Sequence, residues 1–183
     1  MERDIIDDVI KQWRAERPDL DARPLAIVGR ILRLAGILER RANSALKPFG
    51  LPIWAFDVLG TLRRQGAPFA MTPTALMQST MLSSGAMTNR IDRLEEQGLV
   101  AREPDPDDRR SLRVTLTAAG CKTVERAAAV RLAEAREALR GLNGSERKQL
   151  ADLLRQCLSG IECSDAPSDS KIRLRNHTSN NEK

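Results

Sequence analysis

The 183-residue sequence has few aromatic residues and a single histidine, and these shortages exclude several kinds of function. His177 lies in a polar terminal segment, which argues against histidine catalysis and against metal sites built from histidine. Two tryptophans, three phenylalanines and no tyrosine leave few platforms on which the bases of a single-stranded nucleic acid could stack. No apolar run approaches the ~20 residues that cross a bilayer, so we expect no membrane-spanning segment.

The cysteines are equally uninformative for metal or disulfide chemistry. Cys121, Cys157 and Cys163 are odd in number and lack metal-ligand spacing, which fits a reducing compartment. The charged start of the chain, Met1 to Asp4, is unlike a secretory signal, and we expect a cytoplasmic protein. No nucleophile paired with a base and no phosphate-binding loop is recognisable. The sequence therefore predicts a protein that is not an enzyme, with no catalytic residues, no metal and no cofactor.

Charge favours a polyanionic partner without locating it. The net charge is +5 and the isoelectric point is about 9.6. The basic residues are spread along the chain and form no block. If nucleic acid is bound, it is bound by individually placed arginines rather than by a general positive field.

Apolar periodicity, prolines and glycines divide the chain into helical ends around a mixed central part. The spacing predicts helices over about 6–17, 22–47, 52–64, 72–79, 83–97, 118–140 and 146–160, the last one capped by Ser145 and ending near Gly160. Two strands are predicted over 99–103 and 112–117, with Leu112, Val114 and Leu116 on the buried face. We assign 1–51 to N-terminal helices, 52–117 to a DNA-binding domain, 118–163 to C-terminal helices and 164–183 to a disordered tail.

The central elements follow the order of a winged helix-turn-helix: a short helix, a tight turn, a capped helix and a β-hairpin. In such a domain the second helix enters the major groove of duplex DNA. Its predicted apolar stripe is Met87, Ile91 and Leu94. Burial of this stripe turns Ser84, Thr88 and Asn89 outward, where short polar side chains can reach base edges or phosphates. The alternative is that these residues only cap the helix.

The hairpin tip carries an Asp-x-Arg pair. Asp108 can hold the guanidinium of Arg110 so that it projects as one oriented cation, which suits a narrow minor groove. The alternative is a surface contact that only stabilises the turn. The residues expected to bind DNA are Ser83, Ser84, Thr88, Asn89, Arg109 and Arg110, with Asp108 as support for the wing.

Two stretches of this region, LSSGAMTNRIDRLEEQGLV (82–100) and DPDDRRSLRVTLT (105–117), resemble the MarR family of bacterial transcriptional regulators. The similarity extends over roughly residues 22–161. It implies a mainly α protein with a small β-hairpin wing, dimerised through its N- and C-terminal helices, whose two winged helices bind a palindromic operator. The long amphipathic helices would supply the apolar surface of that homodimer, and a monomer would expose it.

A narrower resemblance, to the urate-responsive branch of this family, is carried by residues 13–30, by FDVL (56–59) and by MTNR (87–90). It implies an extra N-terminal helix and a site for urate, xanthine or a related anionic purine. The ligand-binding residues that it implies are Trp13, Asp57, Arg90 and Arg102. An indole can stack on a flat ring, a carboxylate can accept ring N–H groups, and arginines can pair with an anionic edge. The alternatives are that Trp13 belongs to the core and that Asp57 and Arg90 form a structural ion pair.

The sequence thus predicts a regulator of transcription that binds double-stranded DNA, a repressor released by a small anionic aromatic ligand. Two alternatives remain open. One is a winged-helix module that binds protein, and the other is a regulator of the same family that senses phenolic compounds or oxidants.

Overall fold

The computed structural model describes residues 3–80, 84–106 and 111–165. Within these ranges the chain forms two compact units, residues 3–138 and 139–165. In the described ranges, no helix combines the length and the apolar character that a membrane span needs.

The first unit begins with two helices, α1 (Ile5–Glu16) and α2 (Leu25–Leu46). Asp4 caps α1 in a reciprocal pair with Asp7, which satisfies backbone N–H groups that the first turn leaves free. Arg30 of α2 contacts both carboxylates, at 2.9 Å from Asp4 and 2.8 Å from Asp7. These ion pairs hold the start of α1 against α2.

The winged helix follows a short 3-10 turn at Lys47–Phe49. Its helices are α3 (Ile53–Arg64), α4 (Pro73–Thr80) and α5 (Ser84–Glu96), and its strands are β1 (Ala70–Met71), β2 (Val100–Pro104) and β3 (Leu112–Leu116). The three strands form an antiparallel sheet in the order β1-β3-β2. The sequence predicted the hairpin but missed β1, because two residues are too short to display an alternating pattern.

The core of the unit lies where α5 packs against α3, α4 and the sheet. Three apolar side chains of α5, which we call the buried stripe, are almost completely enclosed: Met87, Ile91 and Leu94. Around them lie Leu59, Leu62, Leu76, Val100 and Val114. The stripe is the one predicted from helical spacing, and it fixes which side of α5 faces solvent.

The predicted buried face of β3 is confirmed at Val114 and Leu116 but wrong at Leu112, which is 49% exposed. Leu112 pairs with Pro104 at the end of the ladder. The alternating pattern continues to this residue, but the helical layer that buries the face does not extend so far.

Helix α6 (Ala118–Ala138) returns along the core and packs on α2 and α3. Thr117 caps it as predicted: its hydroxyl accepts the N–H of Gly120 at 3.0 Å and donates to the carbonyl of Gly98 at 2.7 Å. The start of α6 is thereby joined to the turn between α5 and β2.

The second unit contains α7 (Gly144–Asp165). Its N-cap is Asn143, whose side chain accepts the N–H of Glu146 at 3.0 Å while Glu146 accepts the N–H of Asn143 at 2.8 Å. The prediction of Ser145 as cap was therefore wrong by two positions. The prediction of an end near Gly160 was also wrong, because one glycine costs a helix only about 1 kcal/mol. The helix continues to Asp165, within the segment expected to be a tail.

Gly120 leaves no room for a side chain, and we expect Gly120→Ala to destabilise the protein. A methyl group there would overlap the carbonyl oxygen of Leu99 and lie 3.3 Å from Cδ2 of Leu116. Because the backbone of Leu99 cannot rotate away as a side chain can, the substitution should lower the free energy of unfolding by ~1–3 kcal/mol or more. Urea unfolding measures it. Gly141→Ala is the control, since a methyl group at Gly141 meets nothing within 4 Å. Equal unfolding midpoints for the two variants would contradict this account of the close approach.

Candidate functional site

The solvent face of α5 carries the polar side chains predicted to contact DNA. Thr88 and Asn89 are both exposed, next to the buried stripe. Ser83 lies outside the described residues, and Ser84 is described only as the first residue of α5. The exposed polar face near the start of α5 is the arrangement that a recognition helix needs.

The predicted wing tip, Asp108 with Arg109 and Arg110, lies outside the described residues. At the base of the wing the structure adds a pair that the sequence did not predict. Arg113 donates from Nε to Asp105 at 2.7 Å, and Asp105 is buried. Its backbone N–H also donates to the carbonyl of Ser111 at 2.9 Å. Asp105 and Arg113 therefore join the two sides of the wing just below its tip.

Arg102, predicted as a ligand-binding residue, is engaged by two carboxylates of α5. Its guanidinium donates to the carboxylates of Asp92 and Glu95, and its backbone N–H donates to Oε1 of Glu95 at 3.0 Å. Burial opposes the charge of Arg102, but the hydrogen bonds to the two carboxylates outweigh it and raise the pKa of the guanidinium. We call this group the Arg102 cluster: Asp92, Glu95 and Arg102.

Asp57 lies on α3 among several positive charges. Burial raises the pKa of its carboxyl above the usual range, and the charges of Arg131, Arg64 and Arg90 oppose that rise. In the described part of the chain, Asp57 has no direct ion pair or hydrogen bond. The alternative of a direct Asp57–Arg90 ion pair is therefore wrong, although the two charges still interact through space.

Arg90 instead places its guanidinium over the ring of Trp54, 5.4 Å from the centroid. A cation over an indole face is favourable and orients the side chain. Arg90 thus connects α5 to α3, the helix that carries Asp57.

Trp13 is 46% exposed on α1, so the alternative that places it in the core is wrong for the single chain. It lies in a shallow groove with Gln12 and Glu16. Among the described residues, no ring contact or hydrogen bond joins Trp13 to Asp57, Arg90 or Arg102. The structure therefore brings the charges of Asp57 and Arg90 close enough to interact. Trp13 lies in its own groove on α1, and Arg102 lies in the Arg102 cluster.

A cleft of about 420 Å³ between α3 and α6 includes two of the arginines that act on Asp57. Arg64 and Arg131 line it together with the apolar side chains Phe56, Val124 and Leu132. Arg131 is held by Glu134 at 3.0 Å, and Glu134 also accepts from Arg41 of α2 at 2.7 Å. Sequence reasoning missed both Arg64 and Arg131. Arg64 could have been found, because it lies two helical turns after Asp57 on the same side of α3.

No group of histidine, cysteine, aspartate or glutamate side chains that could hold a metal ion occurs in the described ranges. The cysteines of these ranges are unpaired: Cys121 is half-buried, and Cys157 and Cys163 are exposed.

Comparison with known proteins gives concordant matches. A sequence model described as MarR family matches residues 49–111. The transcriptional regulator PecS of Dickeya dadantii is 34% identical over 149 residues, which cover 81% of this chain and 90% of PecS.

Two solved structures are similar over most of their length. A variant of MarR from Escherichia coli in complex with operator DNA matches with a TM-score of 0.65 and 25% identity, covering 85% of this chain and 99% of that one. BpsR of Bordetella bronchiseptica, whose DNA binding is regulated by 6-hydroxynicotinic acid, matches with a TM-score of 0.64 and 30% identity, covering 71% and 91%.

The environment of Asp57 predicts that Asp57→Asn raises stability at neutral pH. Because burial raises the carboxyl pKa in the folded chain, the folded state binds this proton more tightly than the unfolded state. The contribution of Asp57 to stability therefore falls as pH rises from the ordinary value of 3.8 through the folded pKa. Because an asparagine side chain does not ionise, the variant does not undergo this loss of stability as pH rises. Urea midpoints should favour Asp57→Asn at pH 7, by a margin that shrinks as pH is lowered toward 3.8.

Asp8→Asn, at an exposed position of α1, is the control for the same change of carboxylate to amide. A variant at Asp57 that is less stable than wild type at pH 7 would show that the arginines more than compensate for burial.

Proposed function

The chain belongs to the MarR family of DNA-binding transcriptional regulators, and we propose that it acts as a homodimeric repressor that a small anionic aromatic ligand releases from a palindromic operator. As a member of this family it is a regulator and not an enzyme.

The observation that carries the proposal is the two-sided character of α5. One side is the buried stripe, and the other presents Thr88 and Asn89 to solvent. In this proposal the first turns of α5 enter the major groove, where short polar side chains contact base edges. The wing follows the adjacent backbone or minor groove through Arg109 and Arg110, supported by Asp108.

The proposed dimer is supported by apolar surface that a single chain leaves uncovered. Helix α2 exposes Leu32 to 68% and Ile27 to 62%. Helix α7 exposes Leu158 to 58% and Ile161 to 59%. Large exposed apolar surfaces mark interfaces, and a second copy of the chain is the partner that the family resemblance implies. Two-fold symmetry then requires two half-sites, with recognition helices about one duplex turn (~34 Å) apart.

The proposed effector site centres on Asp57 and the arginines around it. An anionic ring such as urate or xanthine offers N–H donors for the carboxylate and negative oxygens for Arg90, or for Arg64 and Arg131 of the cleft. The family resemblance adds Trp13, which no contact among the described residues joins to Asp57, as the residue that would stack on the ring. The 6-hydroxynicotinic acid that regulates DNA binding by BpsR is a small heteroaromatic acid of the same chemical kind. The site also gives the ligand a route to DNA, because Arg90 belongs to the recognition helix.

Release requires that the ligand prefer the non-binding conformation. Changing the ratio of the DNA-binding to the non-binding conformation from about 100:1 to about 1:100 takes about 5.5 kcal/mol of differential affinity. Two charge-assisted contacts in each of two sites are sufficient for that difference. If the ligand takes Arg90 from its place over Trp54, α5 shifts in both half-sites at once.

The DNA-binding part of the proposal predicts different effects for helix and wing. The wild-type protein should select a palindromic duplex from a random-sequence library and bind it as two copies. Thr88→Val should relax sequence preference, by about 1–3 kcal/mol for a lost base contact. Arg110→Ala should weaken binding to all sequences and lower the salt slope by about one per wing, since a phosphate contact is lost. Affinities against salt concentration measure both.

Lys122→Ala is the matched control for lost charge, because Lys122 is an exposed cation of α6 outside the proposed DNA surface. Binding of one copy per duplex would contradict the dimer. An Arg110→Ala variant with the affinity and salt slope of Lys122→Ala would show that the wing does not touch DNA.

The effector proposal is tested by titrating urate and xanthine against the complex of the protein with the selected duplex. Wild type should be released, whereas Trp13→Phe and Asp57→Ala should need at least about tenfold more ligand, because each loses one favourable contact of ~1.4 kcal/mol. Fluorescence anisotropy of the labelled duplex gives the released fraction. Asp8→Ala, on the exposed face of α1, should behave as wild type. If urate and xanthine release none of these proteins, or release all of them equally, the site around Asp57 is not the switch.

A further inference from the structure

The Arg102 cluster joins the two elements that the proposed function places on DNA. Asp92 and Glu95 belong to the last turns of the recognition helix α5, and Arg102 lies in the middle of β2, the first strand of the wing. Three hydrogen bonds cross from β2 to α5: two from the guanidinium and one from the backbone N–H of Arg102.

We infer that the Arg102 cluster is a clamp that holds the wing at a set angle to the recognition helix, so that the two bind DNA as one rigid unit. In this role Arg102 is a positioning residue: it acts on DNA through α5 and β2 and touches neither the duplex nor the effector. The inference rests on the proposed placement of α5 and the wing on DNA.

The geometry of the bonds supports this role. A guanidinium is planar, and each of its two terminal nitrogens donates to a different carboxylate. The two bonds restrain the rotation of the guanidinium as well as its distance from α5. The backbone bond from Arg102 to Glu95 adds a restraint on the strand itself, which a side chain alone could not supply. The side chain of Arg102 is only 25% exposed, so water competes weakly for its donors.

The turn between the two elements restrains only their adjoining ends. Gly98 adopts a left-handed conformation there, with φ of 66°, and the N–H of Leu99 donates to the carbonyl of Leu94 at 2.9 Å. Arg102 lies further along β2, and its bonds to α5 hold the strand beyond the reach of this turn. The base of the wing is braced by Asp105 and Arg113, which join its two sides. That brace fixes the shape of the wing but not its angle to α5. The Arg102 cluster supplies the cross-link that sets the angle.

The test compares Asp92→Asn and Glu95→Gln with wild type on the duplex that the wild-type protein selects from a random library. Each variant loses one charged acceptor of the clamp, and we expect binding to weaken by about fivefold. Electrostatics alone predicts the opposite sign, because removing a negative charge near DNA strengthens binding. The control is Glu96→Gln: Glu96 is the exposed neighbour of Glu95, and among the described residues it has no ion pair.

A footprint separates the clamp from a general loss of folding. Hydroxyl-radical cleavage of the bound duplex should show the outer, wing-side protection weakened in Asp92→Asn and Glu95→Gln, with the central protection by α5 retained. A variant that only unfolds more easily would give the wild-type pattern at a lower occupancy. Urea midpoints of the variants provide the correction for stability.

Arg102→Met completes the experiment. The double variant with Arg102→Met and Glu95→Gln should bind DNA no more weakly than Arg102→Met alone, because both changes open the same clamp. Additive losses, tighter binding by the two acid-to-amide variants, or an unchanged footprint would each overturn the clamp. So would an Arg102→Met variant that keeps wild-type DNA affinity and loses only its response to urate. If the wild-type protein selects no duplex, the proposed placement on DNA fails, and the clamp fails with it.

Discussion

The arrangement of the winged helix depends on the burial of one stripe of α5. With Met87, Ile91 and Leu94 enclosed by the core, the helix cannot rotate about its axis without exposing large apolar side chains. Each such side chain contributes ~1.5–3 kcal/mol when removed from water, so any other rotation is strongly disfavoured. The polar face with Thr88 and Asn89 is therefore presented by the same packing that stabilises the domain. The sheet packs on α5 through β2, and α6 packs on α3 and β3 of the same core.

Charges in this protein divide into those satisfied by neighbours and those that are not. Arg30, Arg102 and Arg113 have carboxylate partners and hold one element against another. Asp57 differs, because burial disfavours its charge and no residue that the structure describes pairs with it directly. Half-buried groups of this kind cost stability, and natural proteins tolerate such costs mainly where a ligand is bound. The contrast is the physical reason for placing the proposed effector at Asp57 rather than at Arg102.

Local sequence signals predicted the helices, the hairpin and the cap at Thr117 well, because each depends on residues a few positions apart. The failures have specific causes. Leu112 follows the alternating pattern beyond the point where the helical layer covers the strand, and β1 is too short to show a pattern. Gly160 was interpreted as a stop, although a helix tolerates a glycine when its flanking residues remain helical.

The sequence by itself determined the order of elements, the buried stripe of α5 and the family, since periodicity, capping residues and the 82–117 region are properties of adjacent positions. Only the tertiary structure decided which charges meet. It paired Arg102 with Asp92 and Glu95, surrounded Asp57 with Arg64, Arg90 and Arg131, and left Trp13 exposed on α1. The physical reason is that an ion pair between elements depends on the distance and angle at which they pack. Those quantities are set by side-chain volumes across the whole core, which no local pattern encodes.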